Sequence, residues 1–299
     1  MPELPEVEIL ARHLAPLLRD RIIRDVQVRR ARTLRPTPES EFAKRLRGAR
    51  FIDLSRRGKY LVFTLRADGP AFRLLGHLGM TGRMYTQSSG AALPRHAAVV
   101  FSLDESDFIF EDVRYFGRLT LDTSVLEDLG PEPLAREFTP EYLVKALKRS
   151  RRPIKATLLD QSLVAGVGNI YASEALFRAG VSPRLRSSRL SRRQVERLLR
   201  GVREVLFDAI EFGSQVRLNW AGTGKNDGLF YYGSAGAAPP ARGERFEVYD
   251  REGQPCFHCR TPIQRIVQAA RSTYFCPRCQ RGGAPVPPSN SIDGADADL

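Results

Sequence analysis

A chain of 299 residues with 42% hydrophobic and 27% charged content is too apolar to be disordered overall, and it has room for two domains with separate cores. Its 47 Lys and Arg against 34 Asp and Glu leave +13 at pH 7, which points to a polyanion such as nucleic acid. The opening residues are acidic rather than basic and apolar, and no apolar run is long enough to span a bilayer, so the expectation is a cytoplasmic, nucleoid-associated protein. The positive residues are grouped, as Arg29-Arg30-Ala31-Arg32, as Lys148-Arg149-Ser150-Arg151-Arg152, and along Arg184 to Arg203. That grouping favours phosphate binding over a merely soluble surface.

The first element is Met1-Pro2-Glu3-Leu4-Pro5-Glu6-Val7-Glu8. With the initiator methionine removed, Pro2 is a secondary amine beside a carboxylate. An α-amino group with a pKa of roughly 7.7–8.0 is partly unprotonated at neutral pH, which makes it a better nucleophile than lysine. Attack on the anomeric carbon of a sugar would give a cationic iminium, an electron sink for later C–O cleavage, with Glu3 moving protons. The same segment also reads as an ordinary helix start, with proline and acids at the positive end of the dipole.

Val7, Leu10, Ala11, Leu14 and Leu18 continue that helix at regular spacing, with Pro16 marking a kink. Short runs with β character follow, at Ile22–Val28, Arg50–Leu54, Tyr60–Leu65, Ala71–Leu75, Ala97–Leu103, Phe108–Asp112 and Arg118–Asp122, and they fit a sandwich or barrel. From Pro131 the pattern turns helical, with helices expected at 140–149, 153–162, 169–179 and 191–212. Thr139-Pro140-Glu141 caps the first, and Ser191 with Gln194 forms a capping box on the last. The last helix has an apolar face from Val195 to Ile210, which leaves its arginines at 192, 193, 197, 200 and 203 on other faces. Gly166-Val167-Gly168-Asn169 is either an anion-binding turn at a helix start or a purely structural one. Gly222 to Gly228 reads as a mobile loop, and 282–299 as a disordered tail.

All four cysteines lie in this last third, as Cys256-Phe257-His258-Cys259 and Cys276-Pro277-Arg278-Cys279. Two CxxC knuckles at this separation suit one tetrahedral structural zinc, with His258 a bystander. Ile263 to Phe275 between them can form a hairpin, whose Arg265 and Arg271 could reach phosphates.

Taken together, the N-terminal segment, Arg57-Gly58-Lys59-Tyr60, His77-Leu78-Gly79-Met80-Thr81-Gly82, Leu129-Gly130-Pro131-Glu132-Pro133-Leu134, Gly166 to Glu174 and the cysteine cluster resemble the Fpg/Nei family of DNA glycosylases, over about residues 2–281. The resemblance implies an α+β protein: a catalytic β-sandwich domain with an N-terminal helix over 2–125, a helix-two-turns-helix DNA-binding domain over 130–220, and a zinc finger over 245–281. It implies a monomer that removes 8-oxoguanine and formamidopyrimidines from duplex DNA and cuts the strand by β,δ-elimination. Pro2 would be the Schiff-base nucleophile, Glu3 the proton donor, Lys59 a proton donor in β-elimination and Arg271 the finger arginine of δ-elimination. An extruded nucleotide leaves a gap to be filled. Met80, Arg114 and Phe116 match the residues that fill it, although isolated apolar residues are more often core. His96, Arg151, Lys155 and Asn169 match DNA-contacting positions.

Two departures bear on the reading. Gly213-Ser214-Gln215-Val216-Arg217 replaces the family's Gly-Gly-Thr-Thr, with an altered loop through about Gly233, which puts lesion preference in doubt. Ser150 stands where a lysine is frequent. The alternatives are an endonuclease VIII-like glycosylase for oxidised pyrimidines, and a catalytically silent protein that binds damaged DNA.

Overall fold

The structure is a computed structural model that describes residues 2–214 and 246–281. The altered stretch from Gln215, the glycine-rich loop at 222–228 and the tail at 282–299 lie outside the described residues. The described chain forms two compact units, 2–130 with 208–214, and 131–207 with 246–281.

In the first unit, helix α1 (Leu4–Leu18) buries Leu4, Val7, Leu10, Ala11, Leu14 and Leu18. Two antiparallel four-stranded sheets come next. One has the order β2 (Arg50–Arg57), β3 (Tyr60–Arg66), β4 (Phe72–His77), β8 (Arg118–Thr120). The other has the order β1 (Asp25–Val28), β6 (Ala97–Ser102), β7 (Ser106–Asp112), β5 (Gly82–Ser88). The sheets meet through aromatic rings: Phe108 packs edge-on against Phe51 at 6.1 Å, tilted against Phe63 at 5.7 Å and stacked on Phe101 at 5.4 Å. Each is fully or almost fully buried, and each such ring removes about 150–250 Å² from water, so this cluster is the chief apolar contact of the sandwich.

Two elements of this unit escape the sequence pattern. Strand β5 alternates too weakly to stand out because it is a sheet edge, yet pairing with β7 from Gly82↔Asp112 to Ser88↔Ser106 buries Met84 and Tyr85. Helix α2 (Glu39–Leu46) is short and buries only Phe42 and Leu46, one turn apart.

In the second unit, α3 (Pro140–Lys148) begins as read, with Thr139 Oγ1 accepting the Tyr142 N–H at 3.1 Å. Helix α4 (Ile154–Leu158) stops earlier than expected, because Asp160 closes a turn by accepting from Ser162 N–H and Oγ. Helix α5 (Asn169–Arg178) is almost wholly buried from Ile170 to Phe177. Helix α6 (Arg192–Ser214) carries the Ser191–Gln194 box and buries the whole predicted apolar face.

Strands β9 (Gln264–Gln268) and β10 (Arg271–Phe275) form the finger hairpin, joined by Ala269-Ala270, both at positive φ (48° and 57°). This two-residue reversal is the type normally given to Asn-Gly, because a Cβ disfavours the left-handed region. Replacing the pair by Asn-Gly is expected to stabilise the hairpin by about 1 kcal/mol, read as slower amide exchange over 264–275. Faster exchange would contradict the turn assignment.

Candidate active site and nucleic-acid interface

Glu3 is the N-cap of α1, only 2% exposed, and it is locked by a reciprocal box: the Glu6 N–H bonds the Glu3 carboxylate while the Glu3 N–H donates to Glu6 Oε2 at 2.7 Å. Pro5 therefore occupies the second helical position and Pro2 sits just ahead of the cap, buried. One turn on, Glu8 accepts from Arg12 at 2.7 Å and from Arg56 at 2.8 Å. Burial would raise the Glu8 carboxyl, but these guanidinium bonds outweigh it and hold it below the usual carboxylate range. Arg56 also donates to the Gly58 carbonyl at 3.0 Å. One guanidinium thus ties the helix that carries Glu3 to the β2–β3 turn that carries Lys59.

That turn is Gly58-Lys59, closed by the Arg57↔Tyr60 pair, with Gly58 at φ 56°. Lys59 is buried and lies near His77, whose ring is 4.9 Å from that of Tyr60 and whose strand partner is Arg118. Burial first, then the charges of Lys59 and Arg118, press the His77 pKa down to about 4. A neutral ring matches its bonding, because His77 Nδ1 accepts the Gly79 N–H at 3.1 Å. The Arg57 guanidinium donates to the carbonyls of Leu129 and Gly130, so it is a tether within the unit.

The residues expected to fill an emptied base site stand on two loops of this unit. Met80 is 41% and Phe116 46% exposed, and the Arg114 guanidinium lies over the Phe116 ring at 4.9 Å. Exposed apolar side chains of this size, grouped with a cation, are not core residues. His96 Nδ1 is 3.2 Å from the Tyr115 hydroxyl, and Arg30 covers the Tyr115 ring at 5.1 Å. Sequence reading placed Arg30 in a basic run without Tyr115 as its neighbour, and it gave Tyr115 no role on this surface.

In the second unit Arg151 and Arg271 are exposed, Arg271 immediately after the hairpin turn. Asn169 opens α5, and its Oδ1 is buried without a hydrogen-bond partner. Lys155 lies on α4. It is 1% exposed, and its ammonium donates to the Ser272 carbonyl at 3.0 Å and to Thr273 Oγ1 at 2.8 Å. A buried ammonium needs such acceptors, so Lys155 is a brace between α4 and β10.

The Gly166 N–H is already given to Gln161 Oε1 at 2.9 Å, which favours the structural reading of that glycine turn. Several arginines of α6 also point inward or to partners. Arg203 donates to the carbonyls of Pro133, Ala135 and Phe138, Arg197 donates to that of Ala179, and Arg192 pairs with Glu141 and Glu196. Glu174, missed in the sequence, is buried and accepts the N–H groups of Glu247, Val248 and Tyr249 at 2.8–3.0 Å, anchoring the entry to the finger.

The Sγ atoms of Cys256, Cys259, Cys276 and Cys279 all lie within 4.8 Å of one another, with Cys256–Cys279 at 3.9 Å and Cys259–Cys276 at 3.4 Å. A tetrahedral zinc with Zn–S near 2.3 Å needs sulfurs about 3.8 Å apart, so this donor set fits one structural zinc and leaves no open coordination position. His258 is outside the set, packed against Phe177 at 5.7 Å.

Two outcomes are expected from these geometries. Because unfolded His77 takes a proton near its ordinary value and the folded residue only near 4, stability falls as pH drops between the two. The expected loss is about 2 kcal/mol from pH 7 to pH 5 in urea unfolding, and His77→Gln should flatten it. An unchanged pH profile in that variant would contradict the burial of His77. Removing zinc with a chelator should free the 264–275 amides to exchange, since the metal contributes folding free energy, and a protected apo hairpin would contradict the site.

Three family models match in order: the formamidopyrimidine-DNA glycosylase N-terminal domain over residues 1–119, its H2TH domain over 129–218, and a zinc finger found in FPG and IleRS over 253–282. The formamidopyrimidine-DNA glycosylase of Symbiobacterium thermophilum is 43% identical over 96% of this chain and 90% of its own length. That of Chloroflexus aggregans is 44% identical over 94% and 98%. Among solved structures, a complex between Lactococcus lactis Fpg and abasic-site DNA has a TM-score of 0.80 at 31% identity, covering 93% of this chain and 99% of that one. A MutM complex with carbocyclic 8-oxo-G DNA has a TM-score of 0.81 at 31% identity, covering 94% and 100%. With all three regions matched in sequence order and the sandwich, helical region and cysteine hairpin in place, this chain belongs to the formamidopyrimidine-DNA glycosylase family of bifunctional glycosylase/AP lyases.

Proposed function

We propose that this chain, acting as a monomer, excises oxidised purines, 8-oxoguanine and formamidopyrimidines, from duplex DNA and then cleaves the strand by β,δ-elimination. The observation that carries the proposal is the buried Glu3 carboxylate, fixed by its box with Glu6 immediately after Pro2. A carboxyl group held beside a secondary amine is the pairing that amine addition at a sugar carbon requires.

With Met1 removed, the Pro2 nitrogen attacks C1′ as the bond from C1′ to the base breaks, the proton of the amine leaves with the base, and Glu3 protonates O4′ as the C1′–O4′ bond opens to leave the iminium. The resulting iminium withdraws electrons, so loss of a C2′ proton expels the 3′ phosphate, and a second elimination expels the 5′ phosphate. Lys59, tied through Arg56 to the helix of Glu3, serves the first elimination, and Arg271 at the finger turn serves the second. Met80, Arg114 and Phe116 occupy the space of the extruded nucleotide, which costs a few kcal/mol to unstack. Their exposure in the free protein supports that role. His96, Arg151, Lys155 and Asn169 contact the DNA, and Lys155 also holds the finger hairpin. The DNA seen with the related Fpg and MutM structures supports a damaged duplex as substrate.

Borohydride should trap a covalent adduct between the mature protein and an 8-oxoguanine or abasic duplex, mapping to Pro2. Pro2→Gly should greatly weaken trapping, and Glu3→Gln should suppress base release by about a hundredfold or more. An adduct on another residue, or full base release by Glu3→Gln, would reassign the chemistry. Competition between 8-oxoguanine and thymine glycol duplexes distinguishes the purine reading from the pyrimidine one.

A further inference from the structure

The loops that carry Met80 and Arg114–Phe116 are separated by about thirty residues of chain, yet they share one acceptor. Asp112, at the end of β7, is 0% exposed. Its Oδ1 accepts from Thr81 Oγ1 at 2.5 Å and from the Arg114 N–H at 3.1 Å, while Oδ2 accepts the Gly117 N–H at 2.7 Å. Thr81 Oγ1 also accepts the Arg114 N–H, at 3.2 Å. On the far side of Met80, His77 Nδ1 holds the Gly79 N–H. The loops touch backbone to backbone: Gly79 is at φ +61°, and a Cβ there would lie 2.6 Å from Gly117 N and 2.7 Å from the Phe116 carbonyl carbon.

We propose that Asp112 and Thr81 form a clasp that assembles Met80, Arg114 and Phe116 into one rigid wedge before DNA is bound. They are positioning residues for base extrusion, and the inference rests on the excision reading above. Three donors from two loops converge on a single carboxylate, which is more than either loop needs for its own turn. A wedge must hold its shape while base stacking pushes back, and two loops free to move separately would yield ordering entropy at the moment of insertion. The clasp removes that cost in advance. Asp112 is fully buried, so it acts on DNA only through the residues it holds.

The test compares substrates that do and do not need a wedge. Asp112→Asn puts an NH2 group against an N–H or O–H donor. It should lower single-turnover excision from an 8-oxoguanine duplex by about tenfold or more, and abolish the fluorescence rise of a 2-aminopurine beside the lesion. Cleavage of a single-stranded abasic oligonucleotide, which has no stack to open, should stay within about twofold of wild type. Thr81→Ala should show the same pattern more weakly, and Thr81→Ser should restore duplex activity because the hydroxyl is kept. If Asp112→Asn does not fold, the Thr81 pair decides. Wild-type duplex rates in both Asp112→Asn and Thr81→Ala, or equal losses on both substrates, would overturn the clasp. A wild-type protein that cleaves neither substrate would instead overturn the excision reading.

Discussion

A reactive group at the end of a chain has neighbours on one side only, and chain ends ordinarily fray. Here the first helix begins two residues after Pro2, and the reciprocal Glu3–Glu6 box converts that helix start into a fixed mount. Five apolar residues in the next turns, Val7, Ile9, Leu10, Ala11 and Leu14, fasten the helix to the sandwich core. The Arg56 guanidinium then joins the same helix to the Lys59 turn. The placement of Lys59, the other proposed catalytic group of this unit, is referred to that mount.

The charge excess divides into two populations with different physical duties. Arg57 and Arg203 satisfy backbone carbonyls that would otherwise be unpaired where the chain changes direction, and Lys155 does so for the finger hairpin. Guanidinium suits this work because its planar fork reaches several acceptors at once. Arg151 and Arg271 are exposed, where phosphate can reach them. A net charge of +13 therefore overstates the surface available to DNA.

Features whose physics is local were legible in the sequence. The cysteine spacing, the Thr139-Pro140 cap, the Ser191–Gln194 box and the apolar face of α6 depend on neighbours a few residues away. Features made by tertiary contact were not. Asp112 is one aspartate at a strand end until β5–β7 pairing brings Thr81 beside it. Glu174 looks like any helical glutamate, and its three N–H partners arrive from more than seventy residues away. Lys155 reads as one more basic residue, and its bonds to Ser272 and Thr273 cross more than a hundred residues of chain.

Gly79 and Gly117 touch with no room for a side chain on the first, so each constrains what the other can become. The two loops are thus a single unit of variation: a bulkier residue at position 79 requires the backbone at 116–117 to give way with it.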